Sequence, residues 1–183
     1  MSFTGKWIDL VYTVATGDWK TRLLVAPLVG AFYLGLIAIF IVLSFALDRL
    51  IGLPQAICVH WSSVTGWTVA AIGLILTLIS IAIFLKAKGT PVPFSPPPTL
   101  ITSGPYRFVR NPMLTGIFIQ LFGIGIALGS LSLMCVFTPL FIFINVWELK
   151  KVEEPELERR LGPAYTNYKN CTPMFFPFGL KQN

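Results

Sequence analysis

Gly89-Thr90-Pro91-Val92-Pro93-Phe94, Ser95-Pro96-Pro97-Pro98 and Gly104-Pro105-Tyr106-Arg107-Phe108-Val109-Arg110-Asn111-Pro112 form a polar cassette set between apolar blocks. So much proline, glycine and arginine is unusual between two spans. Irregular backbone near a bilayer must be buried in protein or line a wet cavity, because lipid cannot satisfy its N–H and C=O groups. The cassette is therefore where chemistry is expected, and its apolar flanks decide the fold.

Of the 183 residues, 55% are hydrophobic and 12% are charged. A soluble domain is about 45–50% apolar and about 25% charged. Half the usual charge does not cover a soluble surface, so the chain reads as one integral membrane domain over residues 1–183. Residues 1–85 hold the N-terminal spans, and 86–183 hold the cassette, a helical hairpin and the tail.

Four apolar runs stand out: Leu23–Leu47, about Trp67–Leu85, about Met113–Gly129 and about Leu131–Trp147. A span needs about 20 residues, with a range of about 17–25. The first two runs qualify easily. The last two are short, separated by little more than Gly129-Ser130, and read as an antiparallel hairpin. The predicted fold is thus all-α with four transmembrane helices. Trp67 and Trp147 stand at ends of runs, where amphipathic aromatics meet water.

With four spans, Arg49 alone of the fourteen Lys and Arg residues falls on the far side. The positive-inside rule then places both termini and the cassette in the cytosol. The net charge of +6 is accounted for by topology and anionic headgroups, and no nucleic-acid motif is present. Cys58, Cys135 and Cys171 have no metal-ligand spacing, and His60 is the single histidine, so no metal site is expected. The first twenty residues carry Asp9 and Asp18 without a continuous apolar core, so a cleaved leader is not expected. They read either as a short interfacial segment or as a plain terminus.

If the hairpin turns near residue 130, Arg110 and Asn111 stand level with about 149–150, and Arg107 with about Glu153. Two arginines then meet the acidic stretch Glu148-Leu149-Lys150-Lys151-Val152-Glu153-Glu154-Pro155-Glu156. One reading is a set of interfacial ion pairs, each of little worth. The local sequence supports more. Asn111-Pro112 is a good helix start, with Asn as cap and Pro at the first position. The positive end of that helix attracts carboxylate or phosphate. Arg107 and Arg110 add forked donors, and Glu153 and Glu154 offer negative charge to an ammonium or sulfonium. A site with both signs suits a zwitterionic ligand. Downstream, Gly162 ends a short helix. Tyr165 and Tyr168 share a face, either to pack an aromatic ligand or to anchor the tail.

Gly-Pro-Tyr-Arg-x-x-Arg-Asn-Pro-Met (104–113), followed by Glu-Glu-Pro-x-Leu and Leu-Gly-Pro-Ala-Tyr-x-x-Tyr, resembles the isoprenylcysteine carboxyl methyltransferase and phospholipid methyltransferase superfamily. The resemblance covers residues 86–178, and the Gly-Thr-Pro-x-Pro-Phe lead-in is similar to its smaller prokaryotic members. It implies S-adenosylmethionine bound at the cytosolic end of the hairpin. Carried over by position, Gly104, Pro105, Tyr106, Arg110, Asn111, Pro112, Met113, Glu153 and Glu154 would hold its methionine part. Thr90 and Tyr106 would border the adenosine or the methyl channel. Arg107, Arg110 and Glu154 are the implied catalytic residues, with Arg107 expected to hold a substrate carboxylate. Many members have Arg-His-Pro where this chain has Arg110-Asn111-Pro112. Asn keeps the cap but does not take a proton near neutral pH, which excludes a base role there. Only two spans precede the cassette, so substrate recognition by the extra spans of the large eukaryotic enzymes does not carry over.

The expected reaction is methyl transfer to a lipophilic or prenylated substrate entering from the bilayer. A carboxylate of isoprenylcysteine type leads, because it needs no base, and a phospholipid amine is second. The expected membrane is the plasma (inner) membrane. The rival readings are an NADPH-dependent sterol-type reductase and a non-catalytic membrane scaffold.

Overall fold

The structure, a computed structural model, describes Gly5, Lys6, Ile8, Asp9, Tyr12, Thr13 and residues 19–52, 60–87, 89 and 99–177. Every regular element among them is helical. Helix α1 is Trp19–Ile51 and α2 is His60–Lys86. A 3₁₀ turn at Gly104–Arg107 leads into α3, Pro112–Leu128. Helix α4 is Thr138–Glu148, α5 is Glu154–Leu161 and α6 is Pro163–Cys171. Two π-helical stretches, Leu133–Phe137 and Leu149–Glu153, precede α4 and α5.

Among the described residues, three segments are long and apolar enough to cross a membrane: Gly30–Ile51, Ser63–Lys86 and Leu133–Leu161. Helix α3 is apolar but has 17 residues, about 25 Å of rise against a hydrocarbon core of about 30 Å. The last segment also runs on past Trp147, where the sequence predicts its end. No residue between Glu148 and Leu161 stops it, and Gly162 does, with φ 59°.

Both π stretches end two residues before a proline, Pro139 and Pro155. Proline removes one i→i−4 bond and crowds the carbonyl four residues back. A wider turn at that point relieves the crowding by inserting a residue without adding a full rise.

The described residues divide into two compact units, one of Met1–Ala31, Ile79–Pro112 and Asn145–Asn183, the other of Phe32–Leu78 and Met113–Ile144. In the second unit, α2 and α3 meet backbone to backbone. A Cβ on Gly116 would lie 2.6 Å from the Gly73 carbonyl oxygen, and one on Gly73 would lie 2.5 Å from the Gly116 oxygen. Glycine is the residue that permits this approach. Phe141 lies at the centre of an edge-to-face cluster with Tyr33, Phe40 and Phe118. Phe32, Val42, Ile72 and Phe143 stay exposed, as lipid-facing side chains would.

The hairpin turns where the sequence places it. Gly129 takes φ 66°, and the Ser130 N–H donates to the Gly125 carbonyl at 2.9 Å, a Schellman closure. The next helix is capped from two sides. Ser130 Oγ accepts the Leu133 N–H at 3.2 Å. Asp48 Oδ1, from α1, accepts the Ser132 N–H at 2.9 Å, and Asp48 Oδ2 accepts from Ser130 Oγ.

Candidate active site

The first unit holds most of the residues that the sequence nominates. The 3₁₀ turn starts at Gly104 (φ 60°), where a Cβ would press on Ile83 Cδ1 at 2.8 Å. Pro105 pre-sets the turn, and Tyr106 is driven inward, 5% exposed and stacked on Phe84 with ring centroids 5.4 Å apart. Arg107 ends the turn on the surface, with no ion pair among the described residues. Pro112 is buried at the first position of α3. Met113 falls in the other unit, where its carbonyl accepts from Thr77 Oγ1 at 3.4 Å. Thr90 lies outside the described residues.

Arg110 and Glu154 meet as a buried ion pair, Nη1 to Oε1 at 2.5 Å, with side chains 10% and 7% exposed. The partners are 44 residues apart. Sequence register puts Arg110 about four residues earlier along the helix, at 149–150. The two widened turns feed in about one residue each, about half of the offset, and the long side chains of Arg110 and Glu154 reach across the rest. Breaking such a pair on one side costs about 3–5 kcal/mol, because the remaining charge stays buried. Arg110 Nε is also buried and has no hydrogen-bond partner among the described residues.

Glu154 has a second partner that the sequence reading does not assign. Lys169 Nζ, on α6, lies 2.6 Å from Oε2 and 3.0 Å from Glu158 Oε1. The bond to Glu154 raises the Lys169 pKa, so this ammonium stays charged. Glu156, 1% exposed, is held by Arg160 Nε at 2.7 Å one turn on.

Glu153 and Glu148 are different. Both are half-buried, and neither forms an ion pair among the described residues. The wide turn Leu149–Glu153 separates them by five residues. The same stretch buries Leu149 and Val152 and leaves Lys150 and Lys151 outside.

The tail closes over the cassette. Tyr168 Oη donates to the Tyr106 carbonyl at 2.6 Å. Tyr165 is buried, 6.4 Å from Tyr168 between centroids. Burial raises the pKa of all three tyrosines, so they remain phenols and donors near neutral pH; the Glu153 charge adds to the effect at Tyr106. Beyond α6, the Arg110 N–H donates to the Pro173 carbonyl at 2.8 Å, and the Asn111 N–H to the Met174 carbonyl at 3.1 Å. Sequence reasoning leaves those two amides, just ahead of α3, open for a ligand. A Pro-rich tail carries no periodic signal that would place it there.

At the other end of the chain, Asp9 pairs with Arg159 at 2.8 Å, and the Arg159 guanidinium lies 4.3 Å over the Tyr12 ring. The described residues near the N-terminus are helical. Among the described residues, no three His, Cys, Asp or Glu side chains are grouped to hold a metal ion.

The arrangement offers cationic, anionic and aromatic groups within one unit. The nickel-cobalt-cadmium resistance protein NccN of Alcaligenes xylosoxydans xylosoxydans is 30% identical over 78 residues, 43% of this chain and 36% of that protein. The chain thus matches about a third of the length of that curated relative. No solved structure matches. A family profile described as PEMT, phospholipid methyltransferase, matches residues 61–164, more than half of the chain, including the cassette, the hairpin, Arg110 and Glu154. On that match, the chain belongs to the phospholipid methyltransferase family, within the superfamily shared with the isoprenylcysteine methyltransferases.

Proposed function

We propose that the protein is an integral membrane methyltransferase that uses S-adenosylmethionine to methylate a lipophilic acceptor. The observation that carries the reading is the shell around Arg110 and Glu154, where each sign keeps an uncommitted group. Arg110 Nε is buried without a partner, and Glu153 is half-buried outside any ion pair among the described residues. A zwitterion that also bears a sulfonium fits that donor set. Arg110, with the Asn111 end of α3, would hold the carboxylate, and Glu153 with Glu154 the ammonium. Tyr106 and Tyr165 would supply aromatic walls. When bound, the cofactor supplies an electrophilic methyl group. The chain's own residues align the partners and exclude water, and alignment alone contributes about 7–11 kcal/mol to lowering a bimolecular barrier.

We further propose four crossings, with both termini and the site in the cytosol of a plasma (inner) membrane. The cofactor then enters from water and the acceptor from the bilayer. A carboxylate of isoprenylcysteine type is the acceptor that sequence reasoning puts first, with the exposed guanidinium of Arg107 as its contact. A specific observation favours a second acceptor, a phospholipid amine. Glu148 and Glu153 leave the shell with two carboxyl groups outside any ion pair among the described residues, which would accept hydrogen bonds from an ammonium headgroup.

The test is calorimetric titration of the purified protein in detergent with S-adenosylmethionine and with NADPH. Micromolar binding of the first supports the proposal, whereas binding of NADPH alone removes it. Glu153→Gln breaks no ion pair, and should weaken S-adenosylmethionine binding by about tenfold or more. Unchanged affinity would remove Glu153 from the site. Transfer of a labelled methyl group to farnesylcysteine, or to phosphatidylethanolamine vesicles, then separates the two acceptors.

A further inference from the structure

The tail meets the cassette at two places of opposite polarity. At one, the Lys169 ammonium sits 2.6 Å from Glu154 Oε2. At the other, the carbonyl oxygens of Pro173 and Met174 accept the N–H groups of Arg110 and Asn111, at 2.8 and 3.1 Å. An ammonium and two partial negative charges, four to five residues apart along the tail, thus face an acid and a pair of amides. Those are the groups proposed above to bind the two ends of an amino acid.

We propose that residues 169–174 are a built-in competitor for the cofactor's methionine part, occupying its ammonium and carboxylate seats until the cofactor displaces them. The inference rests on the cofactor reading under Proposed function. A second ammonium brought to Glu154 while Lys169 remains meets like charge in a shielded place, where such repulsion is strong. Lys169 has somewhere to retreat. Glu158 Oε1 lies 3.0 Å from the same Nζ, and its side chain is 43% exposed. Moving the lysine fully onto Glu158 frees Oε2 without stranding a charge. The carbonyls of Pro173 and Met174 lie four and five residues further along the same tail and would leave with it. Cofactor binding and tail release are then linked, and each weakens the other by the same factor.

The experiment titrates wild type, Lys169→Met and Glu158→Gln with three probes: S-adenosylmethionine, S-adenosylhomocysteine and 5′-methylthioadenosine, which lacks the amino-acid part. Removing the competitor should tighten the first two by about three- to tenfold. Removing the retreat seat should weaken them by a similar factor. Methylthioadenosine should bind all three proteins alike. Hydrogen exchange over residues 169–177 should rise when S-adenosylmethionine binds wild type. A merely structural Lys169 predicts the opposite sign, weaker binding to Lys169→Met.

If wild type binds S-adenosylmethionine and Lys169→Met binds it no better, the competitor is overturned and the cofactor reading stands. If neither binds it, both fall, since taking the competitor away should reveal the site. If only Lys169→Met binds it, the competitor is supported. Glu158→Gln lies on the surface and tests the opposite direction independently of any cost of altering Lys169.

Discussion

The unit of Phe32–Leu78 and Met113–Ile144 is held together by closeness, and the unit that carries the cassette is held together by charge. In the first, α2 and α3 touch through glycine backbones, and one carboxylate, Asp48, serves as a helix cap. In the second, Arg110, Glu154, Lys169, Arg160 and Glu156 are linked by short ion pairs, and the tail is pinned by backbone and phenol hydrogen bonds. Dry backbone contact is stiff, because overpacking has no cheap relief. An ion pair is exchangeable, because another charged group of like sign takes the same seat. The first kind of packing suits a scaffold, the second a place where a charged ligand comes and goes.

The difference can be attacked from both sides. The largest effect is expected from Arg110→Met, which takes from the buried Glu154 one of its two cations and should destabilise the protein by about 3 kcal/mol. The double change Arg110→Met with Glu154→Leu should cost less than the single one, as measured by thermal unfolding in detergent. A double variant no better than the single one would mean that the pair is not the buried unit described.

Next comes Gly116→Val, whose side chain would collide with the Gly73 carbonyl and Thr77. The expected loss is about 1–3 kcal/mol, seen as a lower melting temperature. A variant that melts like wild type would show that α2 and α3 are not in backbone contact.

Asp48→Ala should cost about 0.5–2 kcal/mol through loss of a helix cap, with Asp48→Asn milder because an acceptor oxygen remains. Equal effects of the two would assign the loss to charge rather than to capping.

The smallest effect concerns Lys169, which is 32% exposed. Its folded-state pKa is raised by Glu154, so its contribution is fully present below the unfolded value and is lost as pH rises through the folded one. The stability gap between wild type and Lys169→Met should be about 0–1 kcal/mol. It should hold steady to about pH 10 and close above that. A gap that opens with rising pH would contradict the contact.

Much of the architecture is legible in the chain because it depends on local signals. The Gly129-Ser130 turn, the Asn111-Pro112 start and the Gly162 stop each follow from one residue's backbone preference. The approach of Arg110 to the acidic segment follows from the hairpin alone. About half of the four-residue error in register comes from the widened turns. Their sequence mark, a proline two residues on, is visible once its meaning is known. The partners of Lys169 and of the Arg110 and Asn111 amides are not legible. They depend on the path of a tail after α6, and no periodicity specifies where such a segment lands. The site is therefore half readable: the chain names its charged residues, but not which of them its own tail already satisfies.

Asp48 bears on how the molecule is made. The amide of Ser132 finds its acceptor 84 residues upstream, on α1. A ribosome delivers the hairpin long after that carboxylate, and until the two meet, the second arm begins with a donor that hydrocarbon leaves unanswered. Insertion of the hairpin is thus unfinished business for a single nascent segment. Because α1 carries that acceptor, chains severed between residues 52 and 60 should fold only when both halves are synthesised together.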